Sequence, residues 1–150
     1  MLPPMEAIIF TGIQASGKST FYKERFYDTH LRINLDMLHS RRAEDIILNA
    51  CLWAQRPFVV DNTNPSKEER ARYIERAKFY KYRIISYVFA SDLQICLQRN
   101  KDRAGKKRIP EGGVRSTYAR LSPPSMDEGF DEIYFVDSYV APGKFNVRPW

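Results

Sequence analysis

Short apolar runs alternate along this chain with longer stretches in which apolar residues recur every three or four positions. The short runs read as strands at Ala7–Thr11, Arg32–Leu35, Phe58–Asp61, Arg83–Phe89 and Glu132–Val136. The longer stretches read as helices near Lys18–Tyr27, Ala43–Gln55, Lys67–Tyr80, Asp92–Arg103 and Gly113–Leu121. In the second helix, Ile46, Ile47, Ala50, Trp53 and Ala54 share one apolar face, the expected side for packing on a sheet. Ser66-x-x-Glu69 and Ser91-x-x-Gln94 have the form of capping boxes and predict helix starts. Strands that alternate with helices pair in parallel, so the expected architecture is α/β: one doubly wound, mostly parallel sheet of about five strands. Ligands of such sheets sit beyond the carboxyl ends of the strands, which directs attention to the residues just after each run. No internal repeat or linker stands out. Pro123-Pro124 and the tail Tyr139–Trp150 read as the loosest stretches, with a turn at Pro142-Gly143.

The length of 150 residues suits one domain with its own core. Hydrophobic residues at 43% and aromatics at 13% are those of a folded chain, so most of the nine tyrosines and nine phenylalanines are expected in the core or on sheet faces. No apolar run approaches the ~20 residues of a membrane span, and Met1–Glu6 lacks the pattern of a signal peptide. Cys51 and Cys96 have no metal-ligand spacing, and buried thiols in a reducing cytoplasm are the expectation. The net charge of +6 agrees with a polyanionic partner without requiring one.

The first strand runs directly into Gly12-Ile13-Gln14-Ala15-Ser16-Gly17-Lys18-Ser19, a complete G-x-x-x-x-G-K-[ST] motif, and Thr20 continues into a helical pattern. That strand–loop–helix setting separates a phosphate-binding loop from a chance glycine-rich turn. The glycines allow a tight turn whose amides face phosphate oxygens, and the helix start adds its unpaired N–H groups. Lys18 is then placed for the β- and γ-phosphates and the Ser19 hydroxyl for Mg²⁺. The expectation is a site for a nucleoside triphosphate.

Asp36 follows the second strand beside this loop. A carboxylate there suits acceptance of a hydroxyl proton during phosphoryl transfer, and position alone equally allows it to cap the turn Met37-Leu38-His39. Asp61-Asn62-Thr63-Asn64-Pro65 follows the third strand. Asp61 has the setting of a second carboxylate on the metal side, with Asn62, Thr63 and Asn64 as groups for a substrate phosphate or sugar, or as an Asx-rich turn. Between Arg99 and Arg108 lie six basic residues and one acid. Arg99 and Arg103, four apart, share a face if the helix includes both, and Gly105 is a hinge for a lid over approximately residues 99–115. A solvated basic surface is the alternative for this segment.

Taken together, these landmarks resemble the kinase domain of 5′-hydroxyl polynucleotide kinases, the phage and DNA- or RNA-repair end-healing enzymes, from Glu6 to about Val136. Gly12–Ser19 is similar to that family's P-loop, and Asn34-x-Asp36 to the segment whose Asp is the general base. Asp61–Pro65 with Arg70-Ala71-Arg72-Tyr73 resembles the third-strand signature of the repair branch, and Arg99-Asn100-x-x-Arg103 before Ile109-Pro110 resembles the lid. The resemblance implies a P-loop fold of the adenylate-kinase-like type with ATP and Mg²⁺ as cofactors. It implies Lys18, Asp36, Arg99 and Arg103 as catalytic groups, Gly12 to Thr20 for ATP, and Ser19 and Asp61 for the metal. Phage-type members carry an Arg three residues after the catalytic Asp to grip the acceptor's 3′-side phosphate. Here that residue is His39, so Arg41 or Arg42, or Thr63 and Asn64, are the candidates for the clamp. The resemblance further implies phosphoryl transfer to the 5′-OH of a nucleic acid, with no membrane partner. A kinase of a sugar, nucleoside or antibiotic on the same scaffold, and a nucleotide-gated binding module, are the alternatives.

Overall fold

The first apolar run forms the centre of the sheet. β1 (Glu6–Thr11) pairs in parallel with β3 (Phe58–Val60) on one side and with β4 (Arg83–Phe89) on the other. β2 (Leu31–Ile33) extends the first side, and β5 (Glu132–Ala141) and β6 (Lys144–Pro149) the second, giving the order β2-β3-β1-β4-β5-β6. All pairs are parallel except β5 with β6. The computed structural model describes residues 4–141 and 143–150, with the side chain of Lys106 also outside the described set. Pro142 of the expected Pro142-Gly143 turn therefore lies outside the described residues, and Gly143 sits at a left-handed φ of 71°.

Strands buried on both faces need helices on both sides. α3 (Arg41–Ala54) and α4 (Lys67–Phe79) cover one face, where Leu48, Cys51, Leu52, Tyr73, Ile74 and Ala77 meet Ala7, Ile9, Phe58, Val60 and Ile84. α1 (Lys18–Arg25) covers the other, where Phe21 and Tyr22 pack on Ile8, Phe10, Val59, Ile85 and Phe89. Phe10 and Phe21 stand at the centre of this aromatic cluster, with ring centroids 5.9 Å apart. α5 (Leu93–Lys101) and α6 (Glu111–Arg120) bury Cys96, Leu97 and Val114 against Ile13 and Ala15 of the loop after β1. Both cysteines are free and buried. Among the described residues, no helix is long and apolar enough to cross a membrane.

Three expectations from the sequence need correction. The sheet has six strands rather than five, because the tail expected to be loose extends β5 to Ala141 and returns as antiparallel β6. The apolar face chosen for α3 points outward: Ile46 is 54% and Trp53 82% exposed, while Leu48, Cys51 and Leu52 face the sheet. Positions 44, 48, 51 and 52 have the same helical spacing as 46, 50, 53 and 54, so this helix carries two stripes and periodicity alone does not choose between them. Finally, α5 is capped by Asp92, whose carboxylate accepts from the Ile95 amide, and not by Ser91. The Ser91 hydroxyl instead accepts from the Ile13 amide and donates to Phe89 O, bracing the start of the loop after β1.

Candidate active site

β1 delivers the chain to Gly12 at the carboxyl edge of the sheet, and α1 starts at Lys18. A side chain at Gly12 would meet Ser16 Oγ at 2.7 Å and Phe89 Cβ at 2.9 Å, so the turn requires glycine there. Gly17 precedes the helix at φ 102° and offers no side-chain cap, leaving the first-turn amides of α1 open to an anion. Lys18 folds back over the loop and donates to Gly12 O at 2.9 Å and Ile13 O at 2.7 Å. Burial lowers its pKa from 10.5 to about 8, with the Asp61 carboxylate opposing the fall and Arg103 adding to it. The ammonium thus sits among carbonyl dipoles.

A cavity of about 200 Å³ opens beside this loop. Gln14, Ala15, Lys18 and Ser19 line it from the loop, Asn34, Leu35 and Asp36 from beyond β2, Asp61, Asn62 and Thr63 from beyond β3, and Arg103 and Ile109 from the segment between α5 and α6. The Ser19 hydroxyl donates to Asp61 Oδ2 at 2.9 Å. Arg32 on β2 completes this cluster, donating from Nε to Asp61 Oδ2 and from Nη2 to Ser19 Oγ, each at 2.9 Å.

Asp36 lies in the short helix α2 (Leu35–Leu38), and it is not the cap. Asn34 caps the turn, accepting from the Met37 amide at 3.0 Å while its own amide donates to Asp61 O at 2.5 Å. Asp36 is therefore left with an exposed carboxylate on the cavity wall. A second group holds the same turn: Asn62 Oδ1 accepts from the Leu35 amide at 2.9 Å. Asn62 is itself anchored, because its Nδ2 donates to Glu44 Oε2 at 2.9 Å and to Tyr73 Oη at 3.2 Å. Glu44 is fully buried in α3 and also accepts from Tyr73 and from Arg41. Burial, with the Glu44 charge adding to it, pushes the Tyr73 hydroxyl up to about 12, so it remains a donor at neutral pH.

The remaining expected residues divide. Thr63 lines the cavity, and its carbonyl accepts from Gly12 N at 3.0 Å. Asn64 is buried, and its Nδ2 donates to Phe10 O at 2.9 Å, which ties the strand ends together rather than facing the cavity. His39 ends α2 in the left-handed region at φ 68°, and Arg42 is exposed in the first turn of α3. Arg99 and Arg103 do not share a helix face, since α5 ends at Lys101 with Asp102 as its cap. Arg103 lines the cavity, whereas Arg99 donates to Ser138 Oγ and O at 3.0 and 2.9 Å and lies over the Tyr139 ring. That position borders a separate hollow lined by Gly17, Thr20, Arg99, Ser138, Gly143 and Phe145. Asn100 pins the segment between α5 and α6 by pairing through both side-chain atoms with the Ile109 backbone at 2.6 and 2.9 Å.

The family model described as an AAA domain (AAA_33) matches residues 42–124, more than half of the sequence. The chain belongs to that family. This AAA domain is also 26% identical over 132 residues to the bifunctional polynucleotide phosphatase/kinase of Schizosaccharomyces pombe (strain 972 / ATCC 24843), a match covering 85% of the chain. The chain spans 32% of the length of that curated relative. Among solved structures, a gluconokinase from Sinorhizobium meliloti 1021 superposes with a TM-score of 0.66 at 18% identity, covering 94% of this chain and 86% of that one. A fungal RNA kinase superposes equally well, at 0.66 and 18% identity, with coverages of 95% and 81%. The architecture is that of the P-loop kinases, with six strands.

Sequence alone pointed to neither Arg32 nor Glu44, and it offered Arg41 as a clamp and Tyr73 within a signature without linking them to Glu44. Asn34 and Asn62 stood within quoted segments, but their role as braces of the Asp36 turn follows only from their partners.

Proposed function

We propose that this chain is an ATP-dependent kinase that transfers the γ-phosphoryl group to the 5′-OH end of a polynucleotide. One observation carries the reading. Asp36, freed from capping by Asn34, lines the same cavity as Lys18, Ser19 and Arg103. The acceptor class rests on the 26% identity to the polynucleotide phosphatase/kinase, together with the net charge of +6.

Lys18 and the open amides of the loop hold the donor phosphates. The cluster at Ser19 and Asp61 fits Mg²⁺, because a hydroxyl and a carboxylate oxygen meet at 2.9 Å on the cavity wall, the hard-oxygen chemistry this ion takes alongside phosphate. Bound there, the ion supplies neutralisation of charge on the transferring phosphoryl oxygens. Asp36 accepts the proton of the acceptor hydroxyl and aligns its oxygen. Arg103 faces the charge that develops during transfer, and Arg99, beside Gly17 and Thr20, holds the outer part of the donor nucleotide. For the acceptor's next phosphate, Arg41 is better placed than Arg42 or His39. Its Nη1 is fixed by Glu44 and Tyr73, the same groups that anchor Asn62 at the cavity, and the side chain remains 46% exposed.

Asp36→Asn tests the assignment. Asparagine keeps the shape and loses the proton acceptor, so ATP binding should persist while transfer to a 5′-OH oligonucleotide falls roughly 10²–10⁴-fold. Transfer within a few-fold of the unaltered protein would remove Asp36 from the chemistry.

A further inference from the structure

Arg32 stands in an unusual relation to the two oxygens assigned to the metal. Its guanidinium makes three contacts with them: Nε to Asp61 Oδ2 at 2.9 Å, Nη2 to the same oxygen at 2.8 Å, and Nη2 to Ser19 Oγ at 2.9 Å. Ser19 and Asp61 are themselves joined at 2.9 Å, so the three groups close a triangle. Asp61 is almost wholly buried, its side chain 1% exposed, and a buried carboxylate needs a cation or several donors. Arg32 provides both from its position on β2, at the edge of the sheet, where 24% of its side chain still reaches solvent. The guanidinium also lies 5.8 Å from the centre of the Tyr22 ring, which gives it an apolar face to rest on.

The chemistry of this arrangement has a consequence for cation binding. A hydroxyl and a carboxylate oxygen at hydrogen-bonding distance are what a hard divalent ion takes, and a fixed positive charge already spans both of them. Two cations do not share one carboxylate oxygen and one hydroxyl without strong repulsion. Arginine remains charged at every accessible pH, so loss of its proton does not relieve the conflict. Movement does, because the side chain is partly exposed and rooted on the edge strand.

We propose that Arg32 is a cationic latch on the metal side of the site, a positioning residue that holds Ser19 and Asp61 together and withdraws when a nucleotide-borne divalent ion arrives. The latch stabilises the buried Asp61 before the nucleotide enters. It also sets metal affinity low, so that a free ion competes poorly while an ion delivered on phosphate, with Lys18 and the loop amides engaged as well, displaces it. The proposal rests on the reading of Ser19 and Asp61 as the metal-side groups.

The test uses the full chain saturated with ADP and titrated with Mn²⁺, with bound ion read from the loss of the free-ion electron paramagnetic resonance signal. Arg32→Gln keeps a donor for Asp61 and removes the charge, and should tighten Mn²⁺ binding about tenfold, which is ~1.4 kcal/mol. Arg32→Lys keeps the charge but loses the fork that spans two oxygens, and should tighten binding by a smaller factor. A thermal melt without ligand gives an independent readout: Arg32→Gln should melt below the unaltered protein and gain more from Mn²⁺ with ADP. Should Arg32→Gln fail to fold, Arg32→Lys carries the comparison, and equal or weaker Mn²⁺ binding in the folded variant overturns the latch. If the unaltered protein with ADP takes up no Mn²⁺, or Ser19→Ala with ADP binds it as well as the unaltered protein does, the assignment of the metal side fails instead. Both results are distinct from a variant that binds the ion with unchanged affinity, which sinks the latch alone.

Discussion

Asn62→Ala removes the group through which the buried Glu44–Tyr73 pair reaches the turn that carries Asp36. Three hydrogen bonds disappear: Asn62 Nδ2 to Glu44 at 2.9 Å, the same nitrogen to Tyr73 at 3.2 Å, and the Leu35 amide to Asn62 Oδ1 at 2.9 Å. The bond to a charged acceptor contributes about 1.5–3 kcal/mol and a neutral one about 1. Glu44 keeps Tyr73 and Arg41 as donors, and the Leu35 amide is only part-buried, so water can replace its partner. The net loss should therefore be about 2–3 kcal/mol, a fall in Tm of about 4–12 °C for a chain of this size. The kinetic effect should exceed what stability explains, because a base displaced by about 1 Å can cost roughly 10²-fold in rate. The assay is a thermal melt paired with transfer from ATP at a temperature where the variant is fully folded. A variant that melts lower but transfers at the normal rate would show that this network holds the fold without positioning Asp36. One that melts normally would refute the energetics as well.

The same geometry sets five further outcomes. Lys18→Ala should abolish transfer and leave the fold intact. In the unaltered protein, nucleotide binding at pH 8.5 should take up a proton, because free Lys18 at about 8 is largely neutral there and phosphate restores its charge; calorimetry in buffers of different ionisation enthalpy measures this, and absence of uptake contradicts it. The sign for stability is opposite, since the unfolded lysine at 10.5 binds more protons, so this group adds stability as pH rises from about 8 to 10.5. Arg103→Ala should lower kcat with little change in KM for ATP, and Arg99→Ala should mainly raise KM; the reverse pattern would exchange their roles. Leu48→Ala should cost about 2–5 kcal/mol in a denaturant titration and Trp53→Ser less than about 0.5, and equal losses would contradict the orientation of α3.

The strand–loop–helix setting of Gly12–Ser19 was legible because it is local: eight consecutive residues with a strand before and a helix after. The parallel strands were legible for a similar reason, as Ile8-Ile9-Phe10 and Phe58-Val59-Val60 are apolar throughout and fit burial on both faces. β6 was not, because alternating exposure in Lys144–Pro149 on an edge strand leaves little apolar signal. The outward stripe of α3 misled because Glu44, a charged residue, marks the buried side, and its partners Tyr73 and Asn62 come from other elements. Arg32 gave no local sign of its role, since its partners Ser19 and Asp61 lie 13 and 29 residues away. Likewise, the four-residue spacing of Arg99 and Arg103 carried meaning only if the helix continued, and it stops at Lys101.

Transfer to a polynucleotide end is measured by incubating the chain with γ-labelled ATP and Mg²⁺ beside three acceptors: a 5′-OH oligonucleotide, the same oligonucleotide already 5′-phosphorylated, and gluconate. Label is expected on the 5′-OH oligonucleotide alone, with binding of that acceptor weakening steadily as salt rises. Label on gluconate with none on the oligonucleotide would contradict it and place the acceptor among small molecules, and hydrolysis of ATP indifferent to all three would leave a nucleotide-gated module.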